Sequence, residues 1–489
     1  MSHREGLNLR PMRYECIALP TELRRHTGAR NGIRTRDLTL TMGALYQLSY
    51  PGLRGNSTSF IDLIQYTWIL LRMIREAFDV IVIGGGASGM MCASIAASGG
   101  KKVLLLEKNK ELGKKLGITG GGRCNITNAE FDVKKFLSNF PQAGKFLHSP
   151  FSKFSVSDTF SYFKERGLPL VTEARNRVFP KSQKAADVVT VLKGDLGKNN
   201  VTVYTQAHVL SISQKNNTVV GVEMKDGTSY KAKCVVLAAG GMAAPETGSN
   251  GDGFHMLEKL GHTVFKPNPS IVPLKTDVQW VHRLSGTSCS FMELKFIQEG
   301  KVRLKKKGKL LFTHFGISGP LVLNSSYEVS ELLHAGPVHA SVNLFPDTNE
   351  GDLDRRIVKL FDRNKNKKLR NVLPELIQKS LAHAVIHLVG SKLGEISVHS
   401  ITRDERKKLV RTMQSLGFEI TGTMGFDRAV IVDGGIDLTE VDFTNMTSRL
   451  YKNLYLLGDI LNINRPSGGF SLQLCWTTAY VAARDILSK

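Results

Sequence analysis

The sequence predicts an α/β fold, and three observations carry that reading. First, Phe78-Asp-Val-Ile-Val-Ile83 is a short, continuous, β-branched run, the form of a parallel strand buried on both faces. Second, Gly84-Gly-Gly-Ala-Ser-Gly89 follows at once. It opens a stretch of small residues (Ala87, Cys92, Ala93, Ala96, Ala97), as a helix packed closely on a sheet requires, and Gly99-Gly100 ends it. Third, Lys102-Val-Leu-Leu-Leu106 reads as a second strand with Glu107 at its end. Strand, GxGxxG, helix, strand and acid, in that order, predict a Rossmann-like dinucleotide-binding unit.

Each residue of the turn has a use. Gly84 allows the tight turn, Gly86 lets the backbone approach a pyrophosphate, and Gly89 allows close helix–strand contact. Ala87 and Ser88 begin the helix, whose N-terminus offers unpaired N–H groups and a positive dipole end to phosphates. Glu107 is placed to accept hydrogen bonds from an adenosine ribose, and Lys108 beside it joins the same expected site. The carboxylate favours an unphosphorylated ribose, hence FAD or NAD rather than NADP at this position.

Three further segments point to the flavin. In Gly117-Ile-Thr-Gly-Gly-Gly-Arg-Cys-Asn125, consecutive glycines ending at Gly122 mean that backbone passes close to something, with Arg123 and Asn125 supplying polar contacts. Cys124 reads either as a thiol near the cofactor or as a small buried cysteine. Ala232-Lys-Cys-Val-Val-Leu-Ala-Ala-Gly-Gly241 is a buried strand whose end, Ala239, Gly240 and Gly241, has the form of a chain crossing beneath a dinucleotide. Before it, Val201–Tyr204, Val209–Ile212 and Val219–Glu223 predict a three-stranded antiparallel meander that brings Val209 to the adenine. In the third segment, Leu454–Leu457 is a strand ending in Gly458 and Asp459, with Asp459 placed to hold the ribityl chain. Gly469, Phe470 and Ser471 then lead into an apolar helix from Leu472 to about Leu487, its N-terminus aimed at the isoalloxazine. Reduced flavin is anionic at N1 and O2, and a helix N-terminus stabilises such charge by roughly 0.3–2 kcal/mol.

These segments resemble the BaiN-type bacterial flavoproteins, the NAD(P)/FAD-dependent oxidoreductases of the aminoacetone oxidase family. The resemblance spans about 78–489. It includes Arg177–Pro180, Thr247–Gly253, Phe312–Pro320 and Gly434–Leu438. It implies a glutathione-reductase-like FAD-binding domain with an inserted β-barrel-like domain and a small helical subdomain. This chain departs from the family at its C-terminal turn. It has Gly458-Asp459 for the family's Gly-Glu, Asn462 for an Asp, and Phe470-Ser471 for Tyr-Asn.

The expected organisation is a discontinuous FAD-binding domain over 73–266 and 429–489, a β-rich insertion over 267–349, and a helical segment with the return over 350–428. Within the insertion, Lys301–Lys309 reads as a basic hairpin edge, since lysines commonly blunt exposed strands, or as a nucleic-acid patch. No aromatic residue interleaves it to stack bases. His314, between Phe312 and Phe315, reads equally as a proton donor facing the flavin or as a turn histidine. In the helical segment, Asn371–Leu388 carries an apolar face, and Thr402-Arg-Asp-Glu405 is a capping box.

Composition narrows the function. The chain has 489 residues and a net charge of +23, which reads as a solvated basic surface or as affinity for nucleic acid or membrane. No apolar stretch is long enough for a membrane span. Six cysteines without a CxxC pair disfavour zinc and dithiol redox centres and fit a reducing cytoplasm. Residues 1–72 hold ten Arg and no Lys, whereas 73–489 hold 18 Arg and 38 Lys. That shift, with Gly32–Leu38 resembling translated transfer-RNA-gene sequence, points to a start-site artefact with Met73 as the true start.

The expected activity is that of an FAD-dependent oxidoreductase. It would pass a hydride through flavin N5 between NADH or NADPH and a small organic substrate or oxygen, with no metal. The catalytic candidates are His314 and Cys124. With no second GxGxxG, a separate pyridine-nucleotide domain is absent, and a homodimer is the assembly that base rates favour. The alternatives are an RNA-modifying flavoprotein and a non-catalytic flavin-binding or redox-sensing protein.

Overall fold

The computed structural model describes residues 77–140 and 142–489. The expectations for 1–72 and for a start at Met73 lie outside the described residues.

The β-branched run forms β1 (Phe78–Ile83), and the small-residue stretch forms α1 (Ala87–Ser98). Then come β2 (Val103–Leu106) and α2 (Lys114–Gly122). The next strands are β3 (Thr202–Tyr204), β4 (Val209–Lys215), β5 (Thr218–Met224) and β6 (Ser229–Leu237). β6 pairs parallel with β1, β1 with β2, and β2 with β3. Apolar on both faces, β1 and β2 are buried almost throughout, as parallel strands covered by helices are.

One expectation is corrected here. The strand at 202–204 does not belong to the meander. It follows the helix Ala185–Lys198 and returns to the main sheet beside β2, as a parallel crossover does. The meander is β4–β5–β6, turning at Asn216-Asn217 and Asp226-Gly227, and β6 runs on into the centre of the main sheet.

The insertion begins after β7 (Val264–Ser270). Its strands β8 (Ser288–Gln298), β9 (Lys301–Thr313), β10 (Gly316–Ser318), β11 (Val338–Asn343) and β12 (Leu416–Ile420) pair antiparallel. β12 lies at one edge, while Gly422-Thr423 pairs with Leu274-Lys275 at the other. Chain positions two residues apart thus lie on opposite edges, so the sheet curls into a nearly closed barrel. The basic run 301–309 pairs on one side only, with β8, and is an edge.

The helices of the 350–428 segment pack on the barrel, and the segment also supplies its strand β12. β12 belongs to the barrel sheet, and helices Glu350–Arg363, Lys379–Val389 and Arg403–Gln414 share one apolar core with the barrel strands. The Thr402–Glu405 capping box forms. The apolar stretch 371–388 is broken at Pro374, which cannot continue a helix interior.

The chain returns through β13 (Ile431–Ile436), which pairs with β7 as a two-stranded ribbon. β14 (Leu454–Leu456) then joins the main sheet parallel to β6, and α3 (Phe470–Ser488) closes the fold against α1. Trp476 of α3 is fully buried, and its Nε1 donates to the Ile126 carbonyl at 3.0 Å.

His262 is a buried lock in this domain. Its Nδ1 lies 2.6 Å from Glu440 Oε2 and its Nε2 lies 3.0 Å from Ser448 Oγ. The order is that of a hydrolytic triad, but Ser448 is 0% exposed and its oxygen already accepts the N–H groups of Leu450 and Tyr451. Burial pushes the Glu440 carboxyl up, but its bonds to His262 and Thr263 outweigh that and hold it below its ordinary 4.5. A depressed carboxylate adds stability above its unfolded-state value and loses it as pH falls through the folded one. Glu440→Gln is expected to lower stability at neutral pH and to flatten its decline below about pH 4.5, read by urea unfolding across pH. Parallel pH curves for the variant and the parent would contradict this role.

Candidate functional site: a cleft at the ends of the parallel strands

The parallel strands end side by side, and a cleft with about 1160 Å³ of empty space, counting the solvent at its mouth, opens over their carboxyl ends. It is lined by Ile83–Ser88, Leu106–Asn109, Ala207–Val209, Ala238–Gly240, Asp459 and the start of α3. Its position, outside the carboxyl ends of parallel strands, is where α/β sheets bind their ligands.

The glycine turn is set by contact. A Cβ on Gly89 would sit 1.9 Å from the Gly84 carbonyl oxygen, and one on Gly84 would sit 2.4 Å from that of Ala238. Gly84 also has φ +103°, which an L side chain rarely adopts. Nothing lies within 4 Å of a Cβ on Gly86, so the wall there is bare backbone facing open space. Gly86 caps α1 with no side-chain hydrogen bond. Gly469 does the same for α3, at φ +103°, and Ser471 and Leu472 of that helix line the cleft. Two helix N-termini without side-chain caps therefore belong to one cleft, and both favour negative charge.

Glu107 is buried in the cleft lining. Its Oε2 accepts Gly85 N–H at 2.7 Å, and its Oε1 accepts the backbone and side-chain N–H of Asn109, each at 2.7 Å. Lys108 reaches across to Asp252 at 2.7 Å, and His208 Nε2 lies 3.3 Å from the same carboxylate. Burial pushes the Asp252 carboxyl up, but Lys108 and His208 hold it below the usual range. Asp459, also in the lining, pairs with Arg465 and, at 3.3 Å, with Lys115.

Among the expected site residues, Gly84, Gly86, Ala87, Ser88, Glu107, Lys108, Val209, Ala239, Gly240, Asp459 and Ser471 line the cleft together. Others lie behind it. A Cβ on Gly241 would sit 3.1 Å from the Asp459 carbonyl, and one on Gly458 would sit 2.6 Å from Ser88 Oγ, so both are close-approach positions. Gly469 lies against Thr127, where a Cβ would approach within 2.2 Å.

Several candidates point elsewhere. Phe470 packs into an aromatic cluster, 4.9 Å from Phe136 and 6.0 Å from Phe140. Gly122 and Arg123 do not line the cleft, and Arg123 pairs with Glu173 and stacks 4.0 Å over Phe179. Asn125 Oδ1 accepts Val178 N–H at 3.2 Å. Cys124 is fully buried and its thiol is pushed up to about 12 by burial, which suits packing rather than reactivity. His314 is exposed in the β9–β10 turn, 4.9 Å from Phe315 and outside the cleft lining.

Among the residues missed from sequence are Lys115, Thr119, His208, Asp252, Cys475 and Arg465. The first five line the cleft. Thr119, Asp252 and Cys475 lie in segments that glycines or an apolar run had marked, whereas Lys115, His208 and Arg465 had no such mark, because polar residues on α2 and in loops carry no periodic signal.

The family model described as the HI0933-like protein Rossmann domain matches residues 78–485. Three relatives align along most of the chain. The 3-dehydro-bile acid delta(4,6)-reductase of Clostridium scindens is 28% identical over 386 residues, covering 78% of this chain and 92% of its own. The ribosomal RNA dihydrouridine synthase of Escherichia coli is 27% identical over 413 residues, covering 84% and 99%. That of Haemophilus influenzae is 28% identical over 391 residues, covering 78% and 92%. With its glycine turn, parallel sheet and cleft inside the matched span, the chain belongs to the HI0933-like family, and so to the flavin-dependent oxidoreductases.

Proposed function

We propose that the cleft holds FAD and that the protein reduces an electron-poor carbon–carbon double bond, with NADH or NADPH as the donor. The observation that carries the cofactor is the pair of helix N-termini without side-chain caps, α1 and α3, that belong to one elongated cleft. FAD has two sites of negative charge for them, the pyrophosphate and, on reduction, the pyrimidine edge of the ring. The type of reaction rests on the relatives. A delta(4,6)-reductase and a dihydrouridine synthase, by their names, both saturate carbon–carbon double bonds.

When bound, FAD supplies two-electron chemistry, taking a hydride at N5 and passing it on. The chain binds and orients it. Gly84–Ser88 receive the pyrophosphate, Glu107 accepts from the ribose hydroxyls, Val209 borders the adenine, and Asp459 accepts from the ribityl chain. Ser471 and the first turn of α3 face the pyrimidine edge. The substrate enters between the FAD domain and the barrel, the kind of junction that commonly makes such pockets.

RNA is a second reading of the substrate. It rests on the two dihydrouridine synthases and on the net charge of +23. Against it, the lysines of the basic edge are largely paired: Lys305 with Glu293 at 3.1 Å, Lys306 with Glu328 at 2.6 Å and Lys307 with Asp347 at 2.6 Å. Steep salt dependence of RNA binding would favour it.

The purified protein is expected to show a flavin absorption spectrum that bleaches under nitrogen on adding NADH or NADPH and returns on adding an α,β-unsaturated carbonyl acceptor. A folded, colourless protein that takes up no FAD would overturn the cofactor. A flavin that neither nucleotide bleaches would overturn the donor and raise the redox-sensing alternative. Gly84→Ala places a Cβ on the Ala238 carbonyl at a positive φ, and should lose most bound FAD, measured as flavin per protein after gel filtration. Full retention of flavin by that variant would place the pyrophosphate elsewhere.

A further inference from the structure

We propose that Asp459, Arg465 and Lys115 form a cluster of net charge +1 that makes the bound flavin easier to reduce, with Arg465 as a positioning residue and Lys115 as the cation facing the ring. This rests on the FAD reading above.

Arg465 is 3% exposed, and its bonds tie the turn after β14 to the start of α3. Its Nε donates to Ser471 Oγ at 3.0 Å, one Nη donates to the Ile463 carbonyl at 2.6 Å, and the other donates to Asp459 Oδ1. Ser471 and Asp459 both line the cleft, so the guanidinium sits directly behind its wall. Burying an ion pair is costly, and placement of charge is a better account of it than stability. Burial pushes the Asp459 carboxyl up, but Arg465 and Lys115 outweigh that and hold it below the usual carboxylate range, so it carries its charge.

One negative charge therefore faces two positive ones. Arg465 is held by three acceptors and spends its charge on Asp459. Lys115 reaches Asp459 only at 3.3 Å, is partly exposed, and lines the cleft, leaving the surplus positive charge on the cleft side. A fixed cation in a partly dry cleft stabilises whatever gains negative charge there. Reduced flavin gains it at N1 and O2, at the end of the cleft where α3 begins. The cluster thus binds the reduced cofactor more tightly than the oxidised one. The competing role for Lys115 is a pyrophosphate clamp, which holds both redox states equally and leaves the potential unchanged.

The test uses the full chain loaded with FAD, in parent, Lys115→Gln, Lys115→Arg and Arg465→Gln forms. Flavin content is read from visible absorption, and the midpoint potential by equilibration against a reference dye. Lys115→Gln is expected to keep its flavin and to make reduction about tenfold less favourable, a fall of about 30 mV for a two-electron couple. Lys115→Arg should restore the parent potential, and Arg465→Gln, where it folds, should shift it in the same direction as Lys115→Gln. Weaker FAD binding in Lys115→Gln at unchanged potential would make Lys115 a pyrophosphate clamp and overturn the proposal. A parent protein that binds no FAD would instead overturn the reading on which it rests.

Discussion

The arrangement of the cleft depends on how closely α1 lies against the end of β1. Gly89 has no room for a single added carbon against the Gly84 carbonyl, and Gly84 has none against Ala238. These contacts draw the helix N-terminus down to the ends of β1, β2 and β6, so that bare backbone at Gly86 forms the cleft wall. A larger residue at either position would push the helix outward and separate the N–H groups from the place where anionic groups bind. The small residues of α1 serve the same end on its other side, where α3 packs against it and Gly99 meets Leu487.

Because α1 and α3 pack together, their N-termini lie in one cleft. Each would be a weak anion site alone. Together they share the cleft with two charged clusters, Asp459 with Arg465 and Lys115, and Asp252 with Lys108 and His208, beside the buried Glu107. The inserted barrel adds nothing to that cradle among the described residues. It is tied to the FAD-binding domain through the β7–β13 ribbon, which suits it to bordering a substrate.

Several misplaced expectations share one cause, which is that a residue's neighbours in space were not its neighbours in sequence. Phe470 follows a glycine pair at the right distance for a ring contact, yet the aromatic cluster of Phe136 and Phe140 offered it a larger apolar surface. Arg123 follows three glycines, yet Glu173 and the face of Phe179 lie nearer than the cleft. The strand at 202–204 matched the meander in pattern, but the helix before it returned it to the parallel sheet.

The sequence by itself determined the elements whose cause is local: the buried strands, the glycine turn, the capping box at Thr402, and the acid at the end of β2. Steric contact, hydrogen-bond capping and burial of a continuous apolar run act within a few residues, so their signal survives in linear order. Only the tertiary structure decided which polar side chains share the cleft. Lys115 and Asp459 lie more than three hundred residues apart in the chain, and their charges matter only because α2 and the turn after β14 meet at the same cleft. Electrostatic interaction depends on distance in space and on burial, and neither is written in the order of the residues.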